Sequence, residues 1–250
     1  MLFRTVVWSA ILPVSVALAP QRRVGLRVNH NRDRQSYNRG MAPTFDETIN
    51  AFGAQVRVLV DQVCEIRNRA FRKALYVSML DGLSACAYGD SMRPGIRFRT
   101  FVLQIGGWTD GERISLPQAA LLFHAVPAMS AAISARLANW NWGTPQPITS
   151  DPFAHELGIP DVDFSKVQHV NLLWKFRNSI LHAVYDPGGF DFPGHLDPYY
   201  TGDIDTRTWR LVIPDAFLER LLRASLQNLL VHCKQEGLDP QVHLGRELWV

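Results

Sequence analysis

The chain has 250 residues, of which 47% are hydrophobic and 20% are charged, with a formal net charge of +3. These values are typical of a soluble globular protein with one domain, or one domain with appendages. The mildly basic charge permits an anionic partner without requiring one, because much of it lies in the first forty residues and the remainder is close to neutral. The three cysteines are far apart in sequence and form no C-x-x-C or zinc pattern, so we expect reduced, buried thiols in a cytoplasmic protein.

Residues 1–40 stand apart from the rest of the chain. The apolar run up to Ala19 resembles a short signal peptide, but Pro13 interrupts it and Pro20 follows the expected cleavage site. Residues 21–40 are rich in Arg and Asn, and we expect them to be disordered. We therefore interpret residues 1–40 as a disordered or wrongly assigned extension that precedes a true start at Met41. No membrane partner is expected, since the run is too short and too broken for a span.

The next part of the chain has helical periodicity. The pair Thr44 and Glu47 has the spacing of a capping box, and apolar residues recur every three or four positions from there to about Tyr88. A second apolar stripe comprises Phe71, Leu75, Met79, Leu83 and Cys86, with a break or kink expected near Arg67. A short helix is predicted over residues 97–106, ended by the two glycines that follow Ile105.

Three further helices and a hairpin complete the domain. Ser115 is expected to cap a helix that runs to about Asn139 and is kinked or divided by Pro127, and residues 140–160 are predicted to be a loop. Asp163 is expected to cap a helix over residues 164–185. The stretches around residues 199–200 and 208–213 predict a small β-hairpin, and Pro214 opens a last helix that Gly237 ends. The prediction is a mainly α domain over residues 41–237, a bundle of four to six helices with a hairpin insertion before the last one, followed by a tail over residues 238–250.

The helix predicted over residues 164–185 contains a stretch of side chains that suit phosphodiester chemistry. Arg177 directly precedes Asn178, and His182 lies four residues beyond, so the amide and the imidazole share a helix face. A guanidinium can bind a phosphate, and an imidazole can transfer protons near neutral pH. An Arg followed by a His after four to six intervening residues is a weak signal alone, because Arg23 and His30 in the polar extension also fit this pattern. The adjacent Asn178 and the helical setting make the second occurrence specific.

This Arg-Asn-x3-His motif resembles that of the HEPN superfamily of ribonucleases. A second likeness is the small-residue-rich run from Arg72 to Ala85, which carries Asp81 in the manner of an early helix in several HEPN families. The order of motif helix, short β insertion and closing helix is also similar. Such a resemblance covers residues 45–235 and implies a HEPN-like helical bundle.

The resemblance also implies an activity. It implies a metal-independent endoribonuclease, in which the RNA 2′-OH attacks the adjacent phosphate to give a 2′,3′-cyclic phosphate and a 5′-OH. His182 would be the general acid or base, Arg177 would bind the scissile phosphate, and Asn178 would orient either of them. A homodimer is implied, because HEPN sites form where two motif helices meet. A role as a toxin or defence effector, with an antitoxin or regulatory protein as a further partner, and a cytoplasmic location also follow.

Other residues and other functions stay open. Arg67, Arg69 and Arg72 form a basic patch that could follow an RNA backbone, and Lys175 on the motif helix could do the same. His169, on the motif helix, could line the same surface. The histidines show no metal-ligand spacing, so we expect no metal and no cofactor. The alternative functions are a non-catalytic HEPN-fold dimer that binds RNA or a partner protein, and a helical bundle whose Arg177 and His182 serve only the structure.

Overall fold

Helices account for most of the domain. The computed structural model describes residues 43–159, 162–182, 186, 191–192 and 194–242. In this part of the chain the α-helices are α1 (Phe45–Cys64), α2 (Arg69–Tyr88), α3 (Pro94–Thr100), α4 (Leu116–Leu122), α5 (Pro127–Leu137), α6 (His169–His182) and α7 (Asp215–Glu236). The mainly α class is confirmed. The described residues contain more of these helices than the four to six predicted, because Pro127 divides the helix predicted over residues 115–139 into α4 and α5. The short helix predicted over residues 97–106 is present as α3, which begins earlier at Pro94 and continues as a π-helix over Phe101–Ile105.

Local capping residues set most of the helix ends. Thr44 and Glu47 form the predicted capping box at the start of α1, and Ser115 accepts a hydrogen bond from the Gln118 amide at the start of α4. Asn68, which the sequence analysis did not single out, caps α2 by accepting from the Phe71 amide at 3.1 Å. Gly237 ends α7 with a φ of 66°, a left-handed conformation that favours glycine.

The motif helix begins later than predicted. Residues 165–167 form a 3₁₀ turn, and α6 begins only at His169. The predicted cap at Asp163 is wrong, since the N-cap position of the 3₁₀ turn is Phe164, and the Asp163 carboxylate instead accepts from the Ser165 amide at 2.9 Å in a local turn. The backbone amide of His169 donates to the Arg113 carbonyl, which ties the start of α6 to the preceding loop. The helix is described up to His182, and its predicted end at residues 183–185 lies outside the described residues.

The hairpin is confirmed and belongs to a three-stranded antiparallel sheet. Its strands are β1 (Gln146–Pro147), β2 (Tyr199–Asp203) and β3 (Thr208–Val212), in the order β1-β2-β3. Tyr199 lies opposite Val212 and Asp203 opposite Thr208. The sequence analysis placed β1 in a loop, because a strand of two residues that contains a proline has no periodicity to detect.

Helix α2 lies at the centre of the domain. It packs against α1, α3, α6 and α7. Its buried apolar residues include Tyr76, Val77, Leu80, Leu83 and Cys86. The predicted stripe is therefore partly wrong, since Phe71 is 57% exposed. A helix with neighbours on several sides buries a wide face, and the three- and four-residue spacing alone could not say which edge of that face reaches solvent.

The remaining predictions concern thiols, membranes and chain ends. Cys86 and Cys233 are buried and Cys64 is half-buried, all as free thiols. Among the described residues, no helix combines the length and apolar character needed to cross a membrane. The expectations for residues 1–40 and for most of the tail over residues 238–250 lie outside the described part of the chain.

Candidate functional site

The Arg177 side chain is held by contacts on several sides. Its Nη2 donates to Asp81 Oδ2 on α2 at 2.5 Å, and its Nη1 donates to Asn178 Oδ1 at 3.1 Å. The guanidinium also lies over the Trp174 ring, 5.0 Å from the ring centroid. These contacts fix the plane and the direction of the guanidinium before any ligand arrives, which is what a phosphate-binding arginine requires.

Helix α3 packs against Trp174 and so supports the contacts around Arg177. Trp174 packs against Phe98 with ring centroids 5.4 Å apart. Gly95 lies so close that a Cβ there would stand 3.1 Å from the Trp174 ring. Trp174 is thus held between α3 and Arg177.

Asn178 and His182 complete the motif on one helical stripe. They are four residues apart on a continuous helix, so their side chains lie one above the other. His182 is the last described residue of α6 and is exposed, whereas Asn178 is half-buried and bonded to Arg177. The predicted residues are therefore brought together as a bonded Arg177–Asn178 pair with an exposed imidazole one turn further along.

Asp81 changes the charge of the site, because its carboxylate forms an ion pair with Arg177. Its side chain is 15% exposed and that of Arg177 is 20% exposed, so the ion pair lies at the edge of the core. The Nε of Arg177 and the Oδ1 of Asp81 are both buried and have no hydrogen-bond partner among the described residues. Asp81 lies on the second apolar stripe of the sequence, and its contact with Arg177 joins residues 96 positions apart.

The predicted RNA-binding residues take different positions. Arg67 is exposed in the turn between α1 and α2. Arg69 donates to the Asp191 carbonyl at 3.2 Å, and Arg72 forms an ion pair with Asp215 at the start of α7. Two of the three residues of the basic patch therefore fasten α2 to later segments. Their role in RNA binding stays a prediction.

Lys175 lies on another side of α6 from Arg177. The two positions are about 200° apart around the helix, because each residue advances by about 100°. Lys175 is exposed, and its Nζ donates to the Lys166 carbonyl at 3.1 Å. It therefore does not join the Arg177–Asp81 pair.

A buried ion-pair cluster next to the basic patch escaped the sequence analysis. Lys73 is 1% exposed, and its Nζ contacts Asp186 at 2.7 Å and Asp191 at 2.5 Å. The Asp191 carboxylate also accepts from the Asp215 amide at 3.2 Å. A buried ammonium needs such partners, since an unpaired buried charge is strongly destabilising. The signal was present, because Lys73 falls on the same helical stripe as the buried Tyr76, Val77 and Leu80.

A second buried polar cluster lies at the start of α6. His169 Nε2 lies 2.7 Å from Asp151 Oδ2, and the Tyr200 hydroxyl donates to the same oxygen at 2.7 Å or to Ser115 Oγ at 2.8 Å. The other carboxylate oxygen of Asp151 accepts from the Leu116 amide at 3.1 Å. All four polar side chains are buried. The expectation that His169 lines the motif surface is wrong, since its ring is 1% exposed and points into this cluster.

The environment of this second cluster raises the pKa of its tyrosine. Burial, and then the negative charge of Asp151, raises the pKa of the Tyr200 hydroxyl well above its ordinary value. The Tyr200 proton is therefore retained as a hydrogen-bond donor over the whole neutral range. The cluster is a closed internal network that joins α4, α6 and β2.

The described part of the chain has an apolar groove beside the motif but no cluster of metal ligands. No group of three or more His, Cys, Asp or Glu side chains there has the arrangement of a metal site. An apolar groove of about 400 Å³ lies beside the motif, between the first half of α2 and the end of α6, where Phe71, Leu75 and Leu181 form part of its lining.

Comparisons with protein-family models, with curated proteins and with solved structures found no match. The HEPN resemblance therefore remains a prediction that rests on the motif and its neighbours.

Proposed function

We propose that this protein is a HEPN-type, metal-independent endoribonuclease. The observation that carries the proposal is the preoriented guanidinium of Arg177, bonded to Asp81 and Asn178, on the same helix as the exposed imidazole of His182 five residues later. A phosphate-binding group and a proton-transfer group at one helix end are the parts that phosphodiester cleavage needs.

The proposed reaction follows from these groups. The 2′-oxygen of the substrate ribose attacks the adjacent phosphorus and loses its proton to a general base, as the bond from phosphorus to the 5′-oxygen breaks. The 5′-oxygen takes a proton from a general acid, which leaves a 2′,3′-cyclic phosphate and a 5′-OH. His182 serves as base or acid, and Arg177 binds the non-bridging oxygens through N–H groups that Asp81 and Asn178 do not occupy.

Contacts between distant segments support the proposal. The HEPN resemblance rested on two stretches of sequence, one around Asp81 and the other from Arg177 to His182. The ion pair of Asp81 with Arg177 joins these two stretches. Asp81 would act as a positioning residue, because it touches the guanidinium and sets its direction.

A complete site needs a second proton-transfer group. The chain supplies one motif, so the proposal includes a homodimer in which the motif helices of two copies meet. The apolar groove beside His182, with its exposed Phe71, gives such an interface an apolar surface to bury. A toxin or defence role in the cytoplasm, under an antitoxin or regulatory protein, extends the same proposal.

The decisive test is RNA cleavage in the presence of EDTA. We expect the purified protein to cleave single-stranded RNA and leave 2′,3′-cyclic phosphate ends. We expect His182→Ala to lower the rate by about 10²–10⁴-fold, the usual contribution of general acid–base catalysis. His232→Ala is the matched control, since His232 lies on α7 and is half-buried. Substrate with a 2′-deoxy sugar at the scissile position should resist cleavage.

A non-catalytic RNA- or protein-binding dimer is the second candidate. One observation favours it, since the Asp81 carboxylate already neutralises the Arg177 charge. The same assay separates the two candidates. Equal cleavage by wild type and His182→Ala, or no cleavage by either at any concentration that forms a dimer, would reject the enzyme and favour the binding function.

A further inference from the structure

We infer that a groove along the outer face of α6 binds single-stranded RNA and leads it to His182. This inference rests on the proposed function, because it assigns the substrate path of that same site. We call the groove the α6 groove and define it by Lys166, Lys175, Ser179, Trp209 and Arg210.

The α6 groove consists of two adjoining depressions of about 280 Å³ each, one beside the 3₁₀ turn before α6 and the other between α6 and β3. Gln118 and Lys175 line both depressions, so the two lie next to each other along α6. The groove therefore follows α6 from its beginning towards its end.

Helix geometry directs the groove towards the motif. Lys175, Ser179 and His182 are spaced by four and three residues, so they form one stripe on the exposed face of α6. Asn178 borders the same stripe. A strand that lies against Lys175 and Ser179 therefore reaches the imidazole at the end of the helix.

The charge of the α6 groove is positive in a part of the chain that is negative overall. Residues 43–250 contain 19 lysines and arginines and 22 aspartates and glutamates, a net charge of −3. The described residues that line the groove include Lys166, Lys175 and Arg210 but no carboxylate. Arg210 is 58% exposed and meets Asp203 only at 3.5 Å, a loose pair that a phosphate can replace. The local charge thus complements a polyanion.

Aromatic rings at one end of the groove favour a nucleic acid over an acidic protein. Trp209 lines the groove and stacks on Trp142, with centroids 4.5 Å apart and an interplanar angle of 16°. Gly202 makes room for both rings, because a Cβ there would lie 2.8 Å from Trp142 and 2.9 Å from Trp209. Arg207 lies 5.7 Å from the Trp142 centroid. Bases stack on such rings when they are unpaired, so we expect single strands to bind better than duplexes.

The test is binding of a single-stranded oligonucleotide that cannot be cleaved. The probe is a fluorescently labelled 2′-O-methyl RNA of about 12 nucleotides, within the usual size range of single-strand sites. We expect Lys175→Gln and Arg210→Gln each to weaken binding and to lower the slope of log K against log salt by about 0.7. The control is Arg57→Gln, since Arg57 is an exposed basic residue on α1, and its binding should equal that of wild type.

A second variant tests the aromatic part. Trp209→Leu removes the stacking ring and should weaken binding about tenfold without changing the salt slope, whereas Trp209→Phe should retain most of the affinity. Circular dichroism of each variant checks that the domain is folded. A duplex of the same sequence should bind more weakly than the single strand.

Several outcomes would overturn the inference. They are unchanged binding in Lys175→Gln and Arg210→Gln, an equal loss in Arg57→Gln, and competition by polyglutamate as effective as that by RNA, which would assign the groove to an acidic protein. Its failure differs from failure of the proposed function. Cleavage that depends on His182 but not on the groove variants rejects only the groove, and groove-dependent binding without any cleavage rejects only the enzyme.

Discussion

The first and last described residues of α6 are both histidines, yet they have opposite characters. At the first residue, His169 is 1% exposed and contacts Asp151 within a closed network that includes Tyr200 and Ser115. At the last described residue, His182 is exposed and follows a half-buried Arg177 that is paired with Asp81. Residue type therefore does not make a site, whereas access to solvent distinguishes the two histidines.

The difference has a simple energetic basis. In the buried network every carboxylate oxygen of Asp151 accepts a hydrogen bond from the protein, so a ligand could enter only by breaking internal contacts. The Arg177 side chain is 20% exposed, and the His182 imidazole on the same helix is exposed to solvent. The first arrangement stabilises the fold, and the second is available for binding.

The largest expected effect compares the two aspartates. We expect Asp151→Ala to lower the free energy of unfolding by about 3–5 kcal/mol, because it removes the acceptor of the buried Leu116 amide and of His169 Nε2 and leaves Tyr200 only Ser115. Asp81→Ala should cost about 1 kcal/mol, since its ion pair is partly exposed. Urea denaturation measures both values. Asp197→Ala, which removes an exposed pair with Arg220, is the control and should remain within about 1 kcal/mol of wild type. Similar losses for Asp151→Ala and Asp81→Ala would contradict the comparison.

The two histidines should separate stability from function. We expect His169→Ala to lower the free energy of unfolding by about 2–3 kcal/mol, because it creates a cavity and leaves Asp151 short of one hydrogen bond. His182→Ala should change it by less than about 0.5 kcal/mol, as is usual for an exposed position. In the RNA-cleavage assay the second variant should be the inactive one. A large loss of stability in His182→Ala would mean that its imidazole serves the fold.

A smaller effect concerns alkaline pH, to which the tyrosine of the buried network contributes. Because the pKa of Tyr200 is raised in the folded state, its contribution to stability is complete below the unfolded pKa of about 10 and is lost as the pH rises above it. The expected slope is up to about 1.4 kcal/mol per pH unit for one proton. Tyr200→Phe should remove this part of the slope, which urea denaturation between pH 9 and 11 would reveal. An unchanged slope would show that other tyrosines control alkaline unfolding.

Local signals in the sequence were reliable where a structure depends on near neighbours. Thr44 and Glu47 cap α1, Ser115 caps α4, Pro127 begins α5 and Gly237 ends α7, each as predicted. These features depend on contacts within about four residues, which the order of residues specifies directly. The placement of Arg177, Asn178 and His182 on one helix has the same origin.

Signals were weak where contacts join distant segments. Lys73 binds Asp191, which lies 118 residues later in the chain. His169 binds Asp151, which lies 18 residues earlier, in the predicted loop over residues 140–160. Nothing in the separate segments shows that their charges meet. Phe71 shows the same limit for apolar residues, because helical spacing marks it as core while the packing of α2 leaves it exposed.

The sequence by itself determined the helical class, most helix ends, the hairpin and the presence of one Arg-Asn-x3-His motif, because all of these are set by contacts along the chain. The tertiary structure alone decided which polar residues would be closed and which would remain open. It paired Arg177 with Asp81, buried His169, and set Lys175 and Arg210 along one groove. The physical reason is that burial and pairing depend on which surfaces of distant helices meet, and this is settled only when α2, α3, α6 and the sheet pack together.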